Sequence, residues 1–124
     1  MRLFQGLDIV YIPRFKDVAS RNTQFMMDIF TEKERMVCMR LNRPYESLAG
    51  RFAAKEAMLK AIGIGFTTMG VFQDIEVDNQ PSGRPTLTLK GWIRALMNRR
   101  NIEEATVSIS HTADYAAATV ILLA

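Results

Sequence analysis

The segment from Tyr45 to Ile62, YESLAGRFAAKEAMLKAI, carries the strongest structural signal in the chain. It is built from good helix formers and places Leu48, Phe52 and Leu59 on one side. Gly63 follows it, a residue free to take the left-handed conformation that ends a helix. A chain of 124 residues, nearly half of them apolar, can bury one real core but not two. A single domain over residues 1–124 is therefore expected.

Residues Leu3 to Ile12 are apolar and partly β-branched, which predicts a mostly buried strand stopped at Pro13. Pro13 can also open a helix, with Arg14 and Arg21 two turns apart on one face, Asp17 and Val18 between them and Lys16 to one side. Thr31 and Glu34 have the spacing of a capping box and predict a second helix running towards Arg40. Gly65 and Gly70 read as loop, DIEV and TLTL as strands of a hairpin around the turn DNQPSGRP, and Gly91 to Arg100 as a shorter helix. The end of the chain, ATVSISHT and YAAATVILLA, predicts a second hairpin turning near Ala113 and Asp114. Its last strand shows no polar alternation, so both of its faces need cover, and in so short a chain that points to a homo-oligomer.

Charged residues make up 23% of the chain and are spread along it without low-complexity runs, so a folded protein without flexible linkers is expected. The lone Cys38 excludes an internal disulfide framework and reads as a packing residue. MRLFQGLDIV lacks the features of a secretory signal, and YAAATVILLA is too short to cross a bilayer as a helix, so a cytoplasmic protein with no membrane partner is expected. The net charge of +3 favours an acidic partner. Nucleic acid is disfavoured, because Asp17 interrupts the basic face of the first helix and no aromatic platform is interleaved with basic residues.

Two carboxylates stand out. Asp8 interrupts an apolar strand, where a charge must be paired with backbone amides or an arginine, or hold a cation. Glu56 lies one helical turn from both Phe52 and Lys60. It is either an exposed Glu-to-Lys pair or a metal ligand with Lys60 aimed at phosphate oxygens. Hard cations such as Mg²⁺ bind through one or two carboxylates completed by waters and substrate phosphates, which suits this pair of residues. His111, the only histidine, closes a strand just before a turn and is either structural or a proton-exchanging group. Gly63 and Gly65 could let backbone amides approach a phosphate or could serve only to end the helix. No P-loop and no dinucleotide fingerprint is present.

Three stretches taken together go further: GLDIVYIPRF at the start, FTEKE followed by LAGRFAAKEAMLKAIGIG in the middle, and VSISHTADYAAATVI at the end. They resemble the holo-acyl-carrier-protein synthase family of small bacterial phosphopantetheinyl transferases, in the same order and over nearly the whole chain; FQDIEV and the G-R-P of the hairpin are also similar to that family. The resemblance implies an α+β fold of antiparallel strands packed with a long central helix, assembled as a homotrimer with its active site between adjacent subunits. It implies Mg²⁺ held by Asp8 and Glu56, and Lys60 on the phosphates of coenzyme A. Arg51, Gly63, Gly65, Pro85, His111 and Thr112 would fall on or beside the coenzyme A pocket, and Arg14 and Arg21 on the docking surface for apo acyl carrier protein. The implied catalytic set is Asp8, Glu56, Lys60 and His111, with the base left open between Glu56 and His111. The implied reaction serves fatty acid or polyketide synthesis.

Overall fold

The computed structural model describes residues 1–65 and 69–124. Strand β1 (Leu3–Tyr11) leads without a loop into α1 (Ile12–Arg21), with Pro13 in its first turn. Short helices α2 (Thr23–Ile29) and α3 (Glu32–Met39) follow, then the long α4 (Pro44–Ile62). A 3-10 helix over Met69–Asp74 precedes the hairpin β2 (Ile75–Asn79) and β3 (Pro85–Leu89), then α5 (Gly91–Arg99) and the hairpin β4 (Glu104–His111) and β5 (Tyr115–Leu123). The architecture is α+β: an antiparallel sheet in the order β1-β5-β4, with β2-β3 forming a separate ribbon.

Most elements follow the sequence signals. Thr31 Oγ1 accepts from the Glu34 amide while the Glu34 carboxylate accepts from the Thr31 amide, so the capping box is complete. Gly63 ends α4 with φ +80, in the left-handed conformation. Helix α2 is the element that sequence reasoning missed. Seven residues are too few to display a helical period, and the usable signal was Asn22, whose side-chain carbonyl caps the Phe25 amide at 3.0 Å. Gly70, expected in a loop, lies in the 3-10 helix.

Strand β1 departs from the expected mostly buried strand. Its odd-numbered residues face outward, with Leu7 63% and Ile9 65% exposed, while Phe4, Gly6, Asp8 and Val10 face inward. Tyr11 and Tyr115 meet on that same outer face, with ring centroids 5.3 Å apart. The apolar neighbours of Asp8 therefore point away from the fold and the carboxylate points into it. At Asp8 this inverts the pattern of a sheet with one solvated face, and along the strand it leaves a largely apolar outer surface.

Helix α4 is the spine, packed across β1 and β5 with the other helices around it. Its approach to β1 is unusually close: a Cβ on Gly6 would lie 1.9 Å from the Ala57 carbonyl oxygen and 2.6 Å from the Ala61 amide nitrogen. Only glycine permits this backbone-on-backbone crossing. On the opposite side, Phe15, Phe25, Phe52 and Phe72 form a chain of ring contacts, with Phe15 to Phe52 at 5.6 Å and Phe52 to Phe72 at 6.0 Å.

Candidate functional site

The Gly6 crossing places the first cluster of functional groups. Two residues beyond Gly6, on the same side of β1, Asp8 arrives beside α4, where Glu56 and Lys60 flank the Ala57 and Ala61 contact. The Lys60 ammonium lies 3.0 Å from Asp8 Oδ1 and donates to the Leu7 carbonyl at 3.1 Å. The Glu56 to Lys60 pair, one of the two readings of that spacing, does not form, and Lys60 pairs with Asp8 instead. Among the described residues, no hydrogen bond or ion pair reaches the Glu56 carboxylate. Its pKa is raised above the ordinary value, first by burial and then by the negative charge of Asp8, with Lys60 opposing. Asp8 and Glu56 line a groove of about 430 Å³ whose other walls include Tyr11, Arg14, Phe15, Val18, Phe25 and Phe52.

The charge of Asp8 adds to the cost of ionising Glu56 at the mouth of a largely apolar groove, and two such carboxylates could hold a divalent cation. Among the described residues no cluster of three or more such ligands occurs, so a cation held by Asp8 and Glu56 would take the rest of its shell from waters and phosphate oxygens. Lys60 has used two of its three N–H donors, and its side chain is half exposed, so one donor remains for an anion.

A second cleft, of about 540 Å³, opens beside the N-terminal half of α4. Arg51, Pro85 and His111 line it together with Arg43, Glu46, Asn79 and Gly83. The Arg51 guanidinium is buried and donates to the Val77 carbonyl and, at 2.7 Å, to Asn79 Oδ1; Asn79 in turn donates to the Gly83 carbonyl at 2.9 Å. Arg51 therefore braces the β2-β3 hairpin that forms one wall. His111 Nδ1 stands 3.7 Å from Glu46, which is also 3.7 Å from Arg43.

The sequence-derived residues thus divide into two groups within one chain. Asp8, Glu56 and Lys60 come together, with Arg14 at the groove's edge, its guanidinium 5.9 Å from the centre of the Tyr11 ring. Arg51, Pro85 and His111 gather in the other cleft. Thr112 shapes the β4-β5 turn, its hydroxyl accepting from the Tyr115 amide at 3.1 Å and the Asp114 amide at 3.3 Å. Gly63 and Gly65 are exposed at the end of α4, facing open space. Arg21 is held 3.0 Å from Asp17 on the outer side of α1. Sequence reasoning missed Glu46, Asn79 and Gly83, and it missed the aromatic walls of the groove. Asn79 and Gly83 sat inside a turn whose composition marked it, whereas nothing local in the sequence links Glu46 to His111.

The model of the 4'-phosphopantetheinyl transferase superfamily matches residues 5–120. A holo-[acyl-carrier-protein] synthase from Caldanaerobacter subterraneus subsp. tengcongensis is 40% identical over 116 residues, covering 94% of this chain and 91% of the relative. The crystal structure of a holo-[acyl-carrier-protein] synthase from Neisseria meningitidis superposes with a TM-score of 0.89 at 27% identity, covering 98% of each chain. That of the Helicobacter pylori holo-[acyl-carrier-protein] synthase in complex with coenzyme A gives a TM-score of 0.79 at 32% identity, covering 96% of this chain and 99% of the other.

Proposed function

The chain belongs to the 4'-phosphopantetheinyl transferase superfamily, and on that premise we propose that its groove and cleft carry out the transfer with Asp8, Glu56 and Lys60 as the chemical centre. The enzyme moves the phosphopantetheine arm of coenzyme A to a serine of apo acyl carrier protein. The observation that carries the site assignment is the convergence of two carboxylates, Asp8 and Glu56, on one groove, with the Lys60 ammonium 3.0 Å from Asp8 Oδ1.

Asp8 and Glu56 are the residues that would hold Mg²⁺, which when bound supplies neutralisation of the diphosphate charge. The serine hydroxyl forms a bond to the β-phosphorus as the bond from that phosphorus to the bridging oxygen breaks, releasing adenosine 3',5'-bisphosphate. The serine proton passes to Glu56, directly or through a water, or to His111, the two groups of the site able to accept it. The free donor of Lys60 meets the oxygens on which charge builds during departure. In the second cleft, Arg51, Pro85 and His111 take the nucleotide end of coenzyme A.

The apolar outer face of β1 and β5 supports a homotrimer in which the groove of one subunit adjoins the cleft of the next, as the family resemblance implies. Arg14 and Arg21 on α1 meet the acidic carrier protein. Among the described residues no helix is long and apolar enough to cross a membrane, and the lone Cys38 is buried and free, in keeping with a cytoplasmic enzyme.

Intact mass spectrometry of apo acyl carrier protein incubated with the enzyme, coenzyme A and Mg²⁺ tests this function. The expected result is a mass gain of one phosphopantetheine that EDTA abolishes. Absence of any gain with several apo carrier proteins, from a protein that is folded and binds coenzyme A, would overturn it in favour of a binding module.

A further inference from the structure

Lys55 immediately precedes Glu56 on α4 and points roughly 100° round the helix from it, away from the groove. Its side chain is fully buried, and its ammonium donates to the Ile29 carbonyl at 2.9 Å, the Phe72 carbonyl at 2.9 Å and Glu34 Oε1 at 2.7 Å. All three of its donors are thereby used. Glu34, equally buried, also accepts the Thr31 amide on Oε1 and the Val77 amide on Oε2, both at 2.9 Å. The carbonyl of the same Val77 accepts from Arg51, one turn before Lys55 on α4. One ammonium and one carboxylate thus join the ends of α2 and α3, the middle of α4, the 3-10 helix and β2.

Apolar side chains could hold these elements together as firmly, because a buried ion pair loses much of its attraction to desolvation. What apolar packing lacks is direction: hydrogen bonds to fixed carbonyls and amides weaken steeply with angle and so resist a small rotation of the helix more sharply than methyl contacts do. Rotation of α4 is the motion that matters here, since the helix carries Glu56 into the groove and Lys60 against Asp8 on one side and Arg51 into the cleft on the other. We propose that the Lys55–Glu34 pair is a positioning device that fixes the rotation of α4 and, through Val77, the seat of the hairpin on Arg51. It thereby holds Glu56 in register with Asp8 and ties the geometry of the groove to that of the cleft. The proposal rests on the transferase reading for its kinetic readouts and on Asp8 and Glu56 holding a cation for its Mn²⁺ readout.

Glu34→Asp tests it, because this change keeps both charges and draws the carboxylate back by one methylene, so that α4 must shift to keep the bond. Lys55→Arg is the second variant, keeping the charge with a different donor geometry. Ile93→Val, in the buried face of α5 and away from both clefts, controls for plain loss of stability. Each is assayed well below its melting midpoint for kcat, for KM of coenzyme A, for KM of the carrier protein, and for Mn²⁺ affinity by electron paramagnetic resonance of the protein without substrates. A displacement of about 1 Å at a catalytic group can cost on the order of 100-fold. The expected result for folded Glu34→Asp is therefore at least a tenfold loss in kcat and in Mn²⁺ affinity, a raised KM for coenzyme A and an unchanged KM for the carrier protein. Ile93→Val should lose midpoint temperature and none of these. Folded Glu34→Asp and Lys55→Arg proteins with kcat and Mn²⁺ affinity within twofold of the parent would overturn the proposal. If the parent binds Mn²⁺ but turns nothing over, the transferase reading fails, and the Mn²⁺ affinities still decide this one.

Discussion

Lys55 and Glu56 are neighbours on one helix, yet they occupy opposite electrostatic environments. The lysine is sealed from solvent with every donor matched, and its pKa is lowered chiefly by burial while Glu34 pulls it back up. The glutamate faces an open groove, has no hydrogen-bond or ion-pair partner among the described residues, and is destabilised as a carboxylate by burial and by Asp8. A fully compensated charge pair defines a geometry and offers nothing to a ligand. An uncompensated one costs stability until a cation relieves it, which is the signature of a binding site. A single helix thus carries a closed, compensated charge on one side and an open, unpartnered one on the other.

The largest effect should come from breaking the compensated side. Lys55→Met leaves Glu34 buried without its counter-charge, and unfolding stability should fall by about 3–5 kcal/mol, read from urea denaturation. A loss under about 1 kcal/mol would show that solvent reaches Glu34 and that the two sides of the helix differ less than their burial suggests.

Glu56→Gln should do the reverse, removing activity while sparing the fold. The expected outcome is a kcat at least 100-fold lower, on the scale of losing a key electrostatic contact in an active site. Its stability effect has a definite sign. Because the folded-state pKa of Glu56 is raised, the unfolded chain gives up this proton more readily, and ionisation penalises the fold above that pKa. The penalty fades as pH falls through the raised value towards the ordinary 4.5. In the metal-free protein, Glu56→Gln should therefore melt slightly higher than the parent at neutral pH, with the difference vanishing in acid. A variant less stable than the parent at neutral pH would mean that Glu56 is compensated after all.

How much of this was legible in the sequence follows from the range of each interaction. Local signals were read well: the capping box at Thr31 and Glu34, the glycine stop at Gly63 and the two hairpins depend on residues close in sequence. The pairing of Asp8 with Lys60 rather than Glu56 with Lys60 was not legible, because it depends on the crossing that Gly6 permits, 51 residues from Ala57. The Lys55–Glu34 pair was hidden for the same reason. Lys55 read as one more helix former and Glu34 as a capping residue, and only the fold brings one under the other. Strand β1 misled by its composition, since Leu7 and Ile9 face outward and their apolar character serves the outer surface rather than the chain's own core.

The exposed face of α1 extends the comparison to charges in full solvent, where effects should be smaller. Arg14→Glu should leave stability within about 0.5 kcal/mol of the parent, as for most surface substitutions. It should raise the carrier-protein KM about tenfold at low salt, with less effect as salt screens the attraction. An unchanged carrier-protein KM would remove α1 from the docking surface.

The smallest expected effect lies in the pair between Asp17 and Arg21. Its 3.0 Å separation matches that of Lys60 and Asp8, but its side chains are 79% and 59% exposed for Arg21 and Asp17. Exposed pairs of this spacing are worth about 0.3–0.5 kcal/mol, so removing one leaves the fold nearly untouched. For an approaching acidic helix, however, Asp17 matters twice: it occupies Arg21, and it repels the same carboxylates that Arg14 and Arg21 attract. Asp17→Asn removes both effects. The expected outcome is a carrier-protein KM lowered about twofold to threefold at low salt, converging with the parent at high salt, and an unchanged KM for coenzyme A. A raised carrier-protein KM would mean instead that Asp17 holds Arg21 in the orientation that docking needs. In that case even a solvent-exposed pair on this protein would be fixing a geometry, as the buried one does.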